Sequence, residues 1–359
     1  MIRVLLIHPD RIPHYRIPIY TYLSSYLKEY GFEFIVTSDG IQSDNKSFID
    51  FKYIEMPLST RSIARLIHEQ TIDVIIDFME LKHTYLFPTY FIAKLIHGKK
   101  MIYWGQGRDL LDAGSSIKNL AYATEQAMCD AIILYAEHLK KYIPKRFHEK
   151  TFIANNTLYI DYQGFSPGTT REKVLAEYGI QTKKNIICMG RMQKRKRIDH
   201  LAEALASMNR PDIGLILVGP DPEGILDTIR GNTIYKLGPI YGNKRFDLLT
   251  ASDVYCLPGA VGLSIIDAFH CGLPFVTEDG DESAEIGYLQ NGINGFVVRR
   301  GDIKELAEKL TLLIDNDELR RNFSDAARQE IETNGHIDTM CRGFRDALYH
   351  ATGNRKTDG

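Results

Sequence analysis

Two stretches in the second half of the sequence combine cations and small residues in a way that suits an anionic ligand. In the first, the apolar run Ile186-Ile187-Cys188-Met189 passes directly into Gly190-Arg191-Met192-Gln193-Lys194-Arg195-Lys196-Arg197-Ile198-Asp199. A glycine straight after a buried strand lets the backbone approach a ligand, and Arg191 with a lysine of the run supplies the charge to neutralise a diphosphate. Taken alone, such a basic run is also what a solvated loop looks like. In the second stretch, Asp253–Leu257 leads into Pro258-Gly259-Ala260-Val261-Gly262-Leu263-Ser264-Ile265-Ile266-Asp267. This reads as a buried strand, a small-residue loop, and a helix beginning near Gly262 or Leu263. The unpaired N–H groups and positive dipole end of such a helix start attract anions. Asp267, about one turn in, is placed to accept hydrogen bonds from ribose hydroxyls, or simply to complement the dipole.

The elements that must carry these groups are legible from the alternation of short apolar runs with longer amphipathic stretches, the pattern of parallel α/β layers. In the first half, strands are expected at Ile2–Ile7, Phe32–Thr37, Phe48–Glu55, Asp73–Phe78, Lys100–Trp104, Ala131–Tyr135 and Thr151–Ala154. Several are continuous Val/Ile/Leu-rich runs, as expected of strands covered on both faces. Ile19, Tyr20, Leu23, Tyr26, Leu27 and Tyr30 recur at helical spacing, and Gly31 supplies the stop. A second series follows at Asn185–Met189, Ile213–Val218, Thr233–Leu237, Asp253–Leu257, Pro274–Thr277 and Gly295–Val298, and the tail from Asp302 reads as helical. The expected organisation is an α/β chain of two Rossmann-like, doubly wound domains facing across a cleft. Residues 1–160 form the first domain, 161–184 a connector rich in Gly, Pro, Thr and charge, and 185–335 the second domain. Residues 336–359 are expected to form a helix packing back on the first. Ligands of such folds bind at the carboxyl ends of the strands.

The segment Gly190-Arg191-x-x-x-x-Lys196-x-x-Asp199 resembles the Gly-Arg-Leu…Lys-Gly-x-Asp segment of the family 4 retaining glycosyltransferases, which have the GT-B fold. Gly259 to Asp267 lies over that family's Glu-Gly-Phe-Gly-x-x-x-x-Glu segment. Leu217-Val218-Gly219, Leu237-Gly238-Pro239-Ile240, Ala268-Phe269-His270-Cys271-Gly272-Leu273-Pro274 and Glu285 through Val298 follow in the family's order and spacing. The resemblance implies that Arg191 and Lys196 hold the donor diphosphate. It also implies that Gly190, Pro239, Ile240, Gly259, Ala260, Val261, Gly262, Leu263, Ser264 and Asp267 line the donor site. Four departures stand out: Gly259 replaces the first family glutamate, Ala260-Val261 its Gly-Phe, Asp267 the second glutamate, and Arg197 the glycine after the lysine. The first removes a carboxylate expected on the transferred sugar. The smaller residue is expected to open space for a modified sugar, unless Glu278 or Glu282 folds back to substitute.

The first half resembles its counterpart more loosely. Pro13-His14-Tyr15-Arg16-Ile17-Pro18 follows the first strand, Tyr103-Trp104-Gly105-Gln106-Gly107-Arg108 ends another, and Asn155-Asn156-Thr157-Leu158 precedes the connector. These are similar to a polysaccharide-assembly branch of the family. Tyr15, Arg16, Gly105, Gln106 and Arg108 are the acceptor-side candidates. Arg16 equally suits a solvated helix start, and Trp104 is read as core rather than as a sugar platform.

Composition narrows the remaining classes. Among 359 residues, 44 Lys and Arg nearly balance 46 Asp and Glu for a net charge of −2, so nucleic acid is not an expected partner. No apolar run is long enough to span a bilayer, and the start of the chain does not read as a secretory signal. The five cysteines lack metal-ligand spacing, which points to a reduced, cytoplasmic protein. Gly105-Gln106-Gly107 lacks the third glycine of a dinucleotide fingerprint, and Glu278-Asp279-Gly280-Asp281-Glu282 reads as a solvated acidic loop. No metal and no cofactor are expected. Lys140, Lys141, Lys145 and Arg146 could touch anionic lipid at the inner membrane face, or simply be solvated. The expected activity is transfer of a sugar from a nucleoside diphosphate to a glycan or lipid-linked glycan acceptor with retention, in surface polysaccharide synthesis. The alternatives are a non-catalytic nucleotide-sugar-binding subunit and a sugar-nucleotide epimerase of the same fold.

Overall fold

The computed structural model describes residues 1–42, 49–78, 86–109, 116–160, 170–280 and 283–353. The chain forms two compact units, the first made of residues 1–159 with the C-terminal segment from His336, the second of Ile160–Gly335.

The first unit is built on β1 (Ile2–Ile7), β2 (Phe32–Ser38), β3 (Lys52–Glu55), β4 (Val74–Phe78), β5 (Lys100–Gly105), β6 (Ala131–Leu134) and β7 (Thr151–Ile153). They pair in parallel in the order β3-β2-β1-β4-β5-β6-β7. Val4, Leu5, Leu6, Val74, Ile75, Ile76 and Ile102 are fully buried, because helices cover both faces. The helices are α1 (Arg16–Glu29), α2 (Thr60–Glu69), α3 (Phe87–Leu95) and α4 (Ser116–Met128). α2 starts at a capping box in which the Ser59 hydroxyl accepts from the Ser62 amide at 3.1 Å. The strand expected from Phe48 begins at Lys52, and residues 43–48 lie outside the described ones.

The second unit repeats the plan with β8 (Lys184–Met189), β9 (Ile213–Val218), β10 (Ile234–Leu237), β11 (Val254–Cys256), β12 (Phe275–Glu278) and β13 (Gly295–Val298). Their parallel order is β10-β9-β8-β11-β12-β13. The helices are α5 (Arg171–Glu177), α6 (Ile198–Met208), α7 (Asn243–Thr250), α8 (Ser264–His270), α9 (Ile303–Asp315) and α10 (Asp317–Glu330). Of the stretch expected as a connector, residues 161–169 lie outside the described ones. The remainder is part of this unit: α5 buries Val174 and Leu175, and Arg171 pairs with Asp253 at 2.7 Å.

A π-turn at Ile331–Gly335 leads into α11 (Ile337–Thr352), which lies against α1, β5, β6 and β7 of the first unit. Gly343 permits this approach, since a Cβ there would sit 2.1 Å from the Ile153 carbonyl oxygen. Trp104 is fully buried with its ring edge-on to Phe344 at 4.9 Å and to Tyr135 at 5.5 Å, a core position.

Candidate functional site

The strand order of the second sheet reverses direction between β8 and β11, which sit side by side although β9 and β10 intervene in sequence. Ligands of open parallel sheets bind outside the carboxyl ends of strands at such a switch point. Both stretches singled out by their residue types emerge there. Gly190 follows β8 with φ 136°, and its amide donates to the Val218 carbonyl at 2.8 Å. Gly219, after β9, has no room for a side chain, because a Cβ would lie 2.0 Å from the Gly190 oxygen. The two strand ends therefore meet backbone to backbone and leave Arg191 exposed at the rim.

Beyond Arg191 the chain turns through Lys194–Lys196 and joins the loop after β11. The Gly259 amide donates to the Lys196 carbonyl at 2.9 Å, and the Ala260 amide to the Arg195 carbonyl at 3.0 Å. Lys196 is buried, and its ammonium donates to the Ala260 carbonyl. Its Nζ lies 3.9 Å from where a Cβ of Gly262 would be, so the charge is held beside the Gly262–Ser264 backbone. Among the described residues no partner accepts from the amides of Gly262, Leu263 or Ser264, which precede the seven-residue α8. The Tyr255 hydroxyl, with its pKa well above the ordinary phenol range through burial, donates to the Met189 carbonyl at 2.6 Å and bonds Ser264. It pins the end of β8 beneath the loop. Exposed Pro239 and half-buried Ile240 follow β10 at the same sheet edge.

Two expectations need correction. Gly259 does not open space beside a donor sugar: a Cβ there would lie 2.1 Å from the Arg195 oxygen and 2.6 Å from the Lys196 Cα, so the neighbouring turn already fills that side. Nor does Glu278 fold back towards a sugar. Its side chain is fully buried and accepts from Arg197 Nη1 at 2.6 Å, from His200 Nδ1 at 2.6 Å and from the Gly301 amide at 3.0 Å. Glu282 lies outside the described residues. Asp267 also has a protein partner. Arg245 reaches it with Nη2–Oδ1 and Nε–Oδ2 both at 3.3 Å, and burial raises its pKa against the pull of that guanidinium. Arg245 and Tyr255 gave no signal in the sequence, because their contacts depend on which strands become neighbours. Arg197 left one, a charged residue where the resemblance calls for glycine.

In the first unit, Arg16 opens α1 and is buried, its guanidinium 5.1 Å from the Trp104 ring centroid, 5.8 Å from that of Tyr135 and 5.7 Å from that of Tyr15. His8, at the end of β1, is pushed down to about 4 by burial and then by Arg16, so its imidazole is neutral at physiological pH. Gly105 ends β5 against the Tyr103 hydroxyl, which accepts from the Gly107 amide at 2.8 Å. Gln106 is half-buried, and Arg108 stacks 3.7 Å from the Tyr142 ring centroid. The structure thus gathers Tyr15 and Arg16 with His8 around one aromatic cluster. Arg108 has its own partner in Tyr142.

Residues 170–330 match the family described as Glycosyl transferases group 1. The match covers the whole switch-point site, from Gly190 to Glu278. Over 179 residues the chain is 26% identical to the sulfoquinovosyl transferase SQD2 of Arabidopsis thaliana, which is 48% of this chain and 35% of that protein. The chain spans 35–42% of the length of its first three curated relatives. Among solved structures, a glycosyltransferase from Rickettsia africae superposes with TM-score 0.80 at 19% identity over 99% of both chains. Anabaena Alr3699/HepE, solved in complex with UDP, does so with TM-score 0.76 at 17% identity over 97% of this chain and 99% of that one. The two parallel-sheet units are therefore those of the GT-B fold.

Proposed function

We propose that the chain is a retaining glycosyltransferase that moves a sugar from a nucleoside diphosphate to a hydroxyl of a glycan or lipid-linked glycan, in surface polysaccharide assembly. The observation that carries this is the convergence of Arg191, the Lys196 ammonium and the unpaired Gly262–Ser264 amides at the switch point of the second sheet. A diphosphate is the ligand whose charge and size suit such a group, and the UDP complex of the Anabaena structure supports that choice. In the reaction the bond from the anomeric carbon to the diphosphate oxygen breaks while the acceptor oxygen bonds the same face. The departing phosphate takes the acceptor proton. Arg191 and Lys196 stabilise the charge growing on that phosphate, Lys196 having exchanged the Ala260 carbonyl for it when the donor bound. Fixed cations of this kind act without reorganisation at the moment of reaction. Asp267, oriented by Arg245, serves the ribose, and the His8, Tyr15, Arg16 and Gly105–Arg108 edge serves the acceptor.

The test is turnover of nucleotide sugars by wild type, Arg191→Ala and Lys196→Ala. Each variant should lose about 10²–10³ in rate, as when one transition-state donor is removed, and exposed Arg191→Ala should also keep its melting temperature. Near wild-type rates for both at saturating donor would defeat the diphosphate assignment. Stabilisation of the wild type by UDP without turnover on any acceptor would favour a non-catalytic nucleotide-sugar-binding subunit.

A lipid-linked acceptor requires the enzyme to reach a membrane surface. Phe91, Ile92, Leu95 and Ile96 of α3 and its end are exposed. Lys94, Lys100 and Lys150 gather beside them around Asp130 and the Cys129 carbonyl. We assign this face to peripheral contact with anionic lipid.

A further inference from the structure

We infer that Glu278 is a positioning residue for the diphosphate site, acting through Arg197 to hold the Lys196 ammonium in place. The inference rests on the diphosphate reading above and adds to it a residue 81 positions away from its partner.

Arg197 has φ 52° and ψ 45°, a left-handed conformation that residues with a Cβ avoid. It must take this conformation because it both ends the Lys194–Lys196 turn and caps α6. The turn closes through the Lys196 amide to the Gln193 carbonyl at 2.8 Å and the Arg197 amide to the Lys194 carbonyl at 3.0 Å. A glycine would sit there without strain, and arginine needs something to hold it. Glu278 provides that hold, with a short charge-assisted bond from a carboxylate of zero exposure. Every face of the carboxylate is used: Oε2 takes Arg197 and the Gly301 amide, and Oε1 takes His200. Three donors on a buried carboxylate fix its direction, as satisfaction of a buried charge requires.

The main chain of the same residue holds the opposite loop. The Glu278 amide donates to the Pro258 carbonyl at 3.2 Å, one residue before the Gly259 and Ala260 amides bond the Lys196 and Arg195 carbonyls. Glu278 is therefore bonded to both loops whose contact aims Lys196 at the Ala260 carbonyl. It touches neither sugar nor phosphate. Loss of its charge leaves Arg197 three-quarters buried or more without a counter-charge, lets residue 197 leave the left-handed region, and lets Lys196 drift from the amides of Gly262–Ser264.

The experiment compares Glu278→Gln and Arg197→Ala, which keeps the left-handed strain but loses the guanidinium, each alone and combined with Lys196→Ala. Binding of UDP and of inorganic pyrophosphate is measured by calorimetry, beside the melting temperature. In the otherwise wild-type chain, both variants should weaken UDP and pyrophosphate about tenfold, the scale of one charge-assisted contact. In the Lys196→Ala background, the same substitutions should have almost no further effect on binding. Similar losses in both backgrounds would show a merely structural role and overturn the inference, as would unchanged affinity in folded Glu278→Gln. Should Glu278→Gln fail to fold, the Arg197→Ala pair decides by the same comparison. Wild type that binds neither probe would instead remove the diphosphate reading itself.

Discussion

At the scale of single residues, the site turns on side chains that are absent as much as on those present. Gly259 occupies the place of a carboxylate in the resembling segment, and its missing side chain is a packing requirement. The Cβ of Gly259→Ala would lie 2.1 Å from the Arg195 oxygen, so the two bonded loops must separate. Overpacking of this sort costs about 1–3 kcal/mol. Gly259→Ala should lower the melting temperature and weaken UDP binding together, and Gly259→Glu should gain no new donor. A variant with unchanged stability and unchanged kcat/KM would show that the contact of these loops is not needed. The partnership of Asp267 with Arg245 teaches a related point. Burial raises the pKa of this carboxylate while the Arg245 guanidinium pulls the other way and fixes the direction in which it points.

Elements explain why those residues meet. β8 and β11 are 68 residues apart at the paired positions Ile187 and Tyr255, because two β-α units intervene between them in the chain. Their loops are neighbours because β9 and β10 turn to one side of β8 while β11, β12 and β13 extend the sheet on the other. In the first unit, α11 comes from far along the chain to pack on β5, β6 and β7. α11 buries Met340, Cys341, Phe344, Ala347 and Leu348, and at Gly343 it comes up against the Ile153 carbonyl of β7 with no room for a Cβ. Gly343→Val would drive a side chain into the Ile153 carbonyl and push the helix off β7. We expect a loss of about 1–3 kcal/mol in denaturant unfolding. A midpoint equal to wild type would mean that α11 is not a structural part of this unit.

The whole molecule carries a net charge of −2, so any attraction to an anionic surface must come from a local face rather than from the chain as a whole. The face at α3 pairs exposed apolar side chains with the lysines around Asp130. Among the described residues no helix is long and apolar enough to cross a membrane, so the contact proposed is peripheral. Sedimentation with vesicles containing phosphatidylglycerol should recover the protein at low salt, with Leu95→Glu and Ile96→Glu reducing recovery several-fold. Equal sedimentation with purely zwitterionic vesicles, or no effect of either substitution, would reject the assignment of this face. Because the substituted residues are exposed, their melting temperatures should stay at the wild-type value.

The sequence by itself determined the two parallel sheets, since strands buried on both faces announce themselves as continuous apolar runs. Ile2–Ile7, Ile213–Val218 and Gly295–Val298 have the ends their composition predicts. It also singled out the two loops that meet at the switch point of the second sheet, because glycine and cations directly after a buried strand are local features. Periodicity says nothing about partners far along the chain. Only the tertiary structure decided that Gly259 is filled from the side by Arg195 and Lys196, that Asp267 faces Arg245, and that Glu278 from an acidic stretch is buried on Arg197 and His200. Glu278-Asp279-Gly280 reads as a solvated loop because acidic residues are usually exposed. Here the end of β12 lies beside the loop after β11, so the first carboxylate of the run points into the protein and must find donors there. Burial of a charge depends on what the fold brings to it, and that is settled by strand order rather than by the neighbours of the residue in sequence.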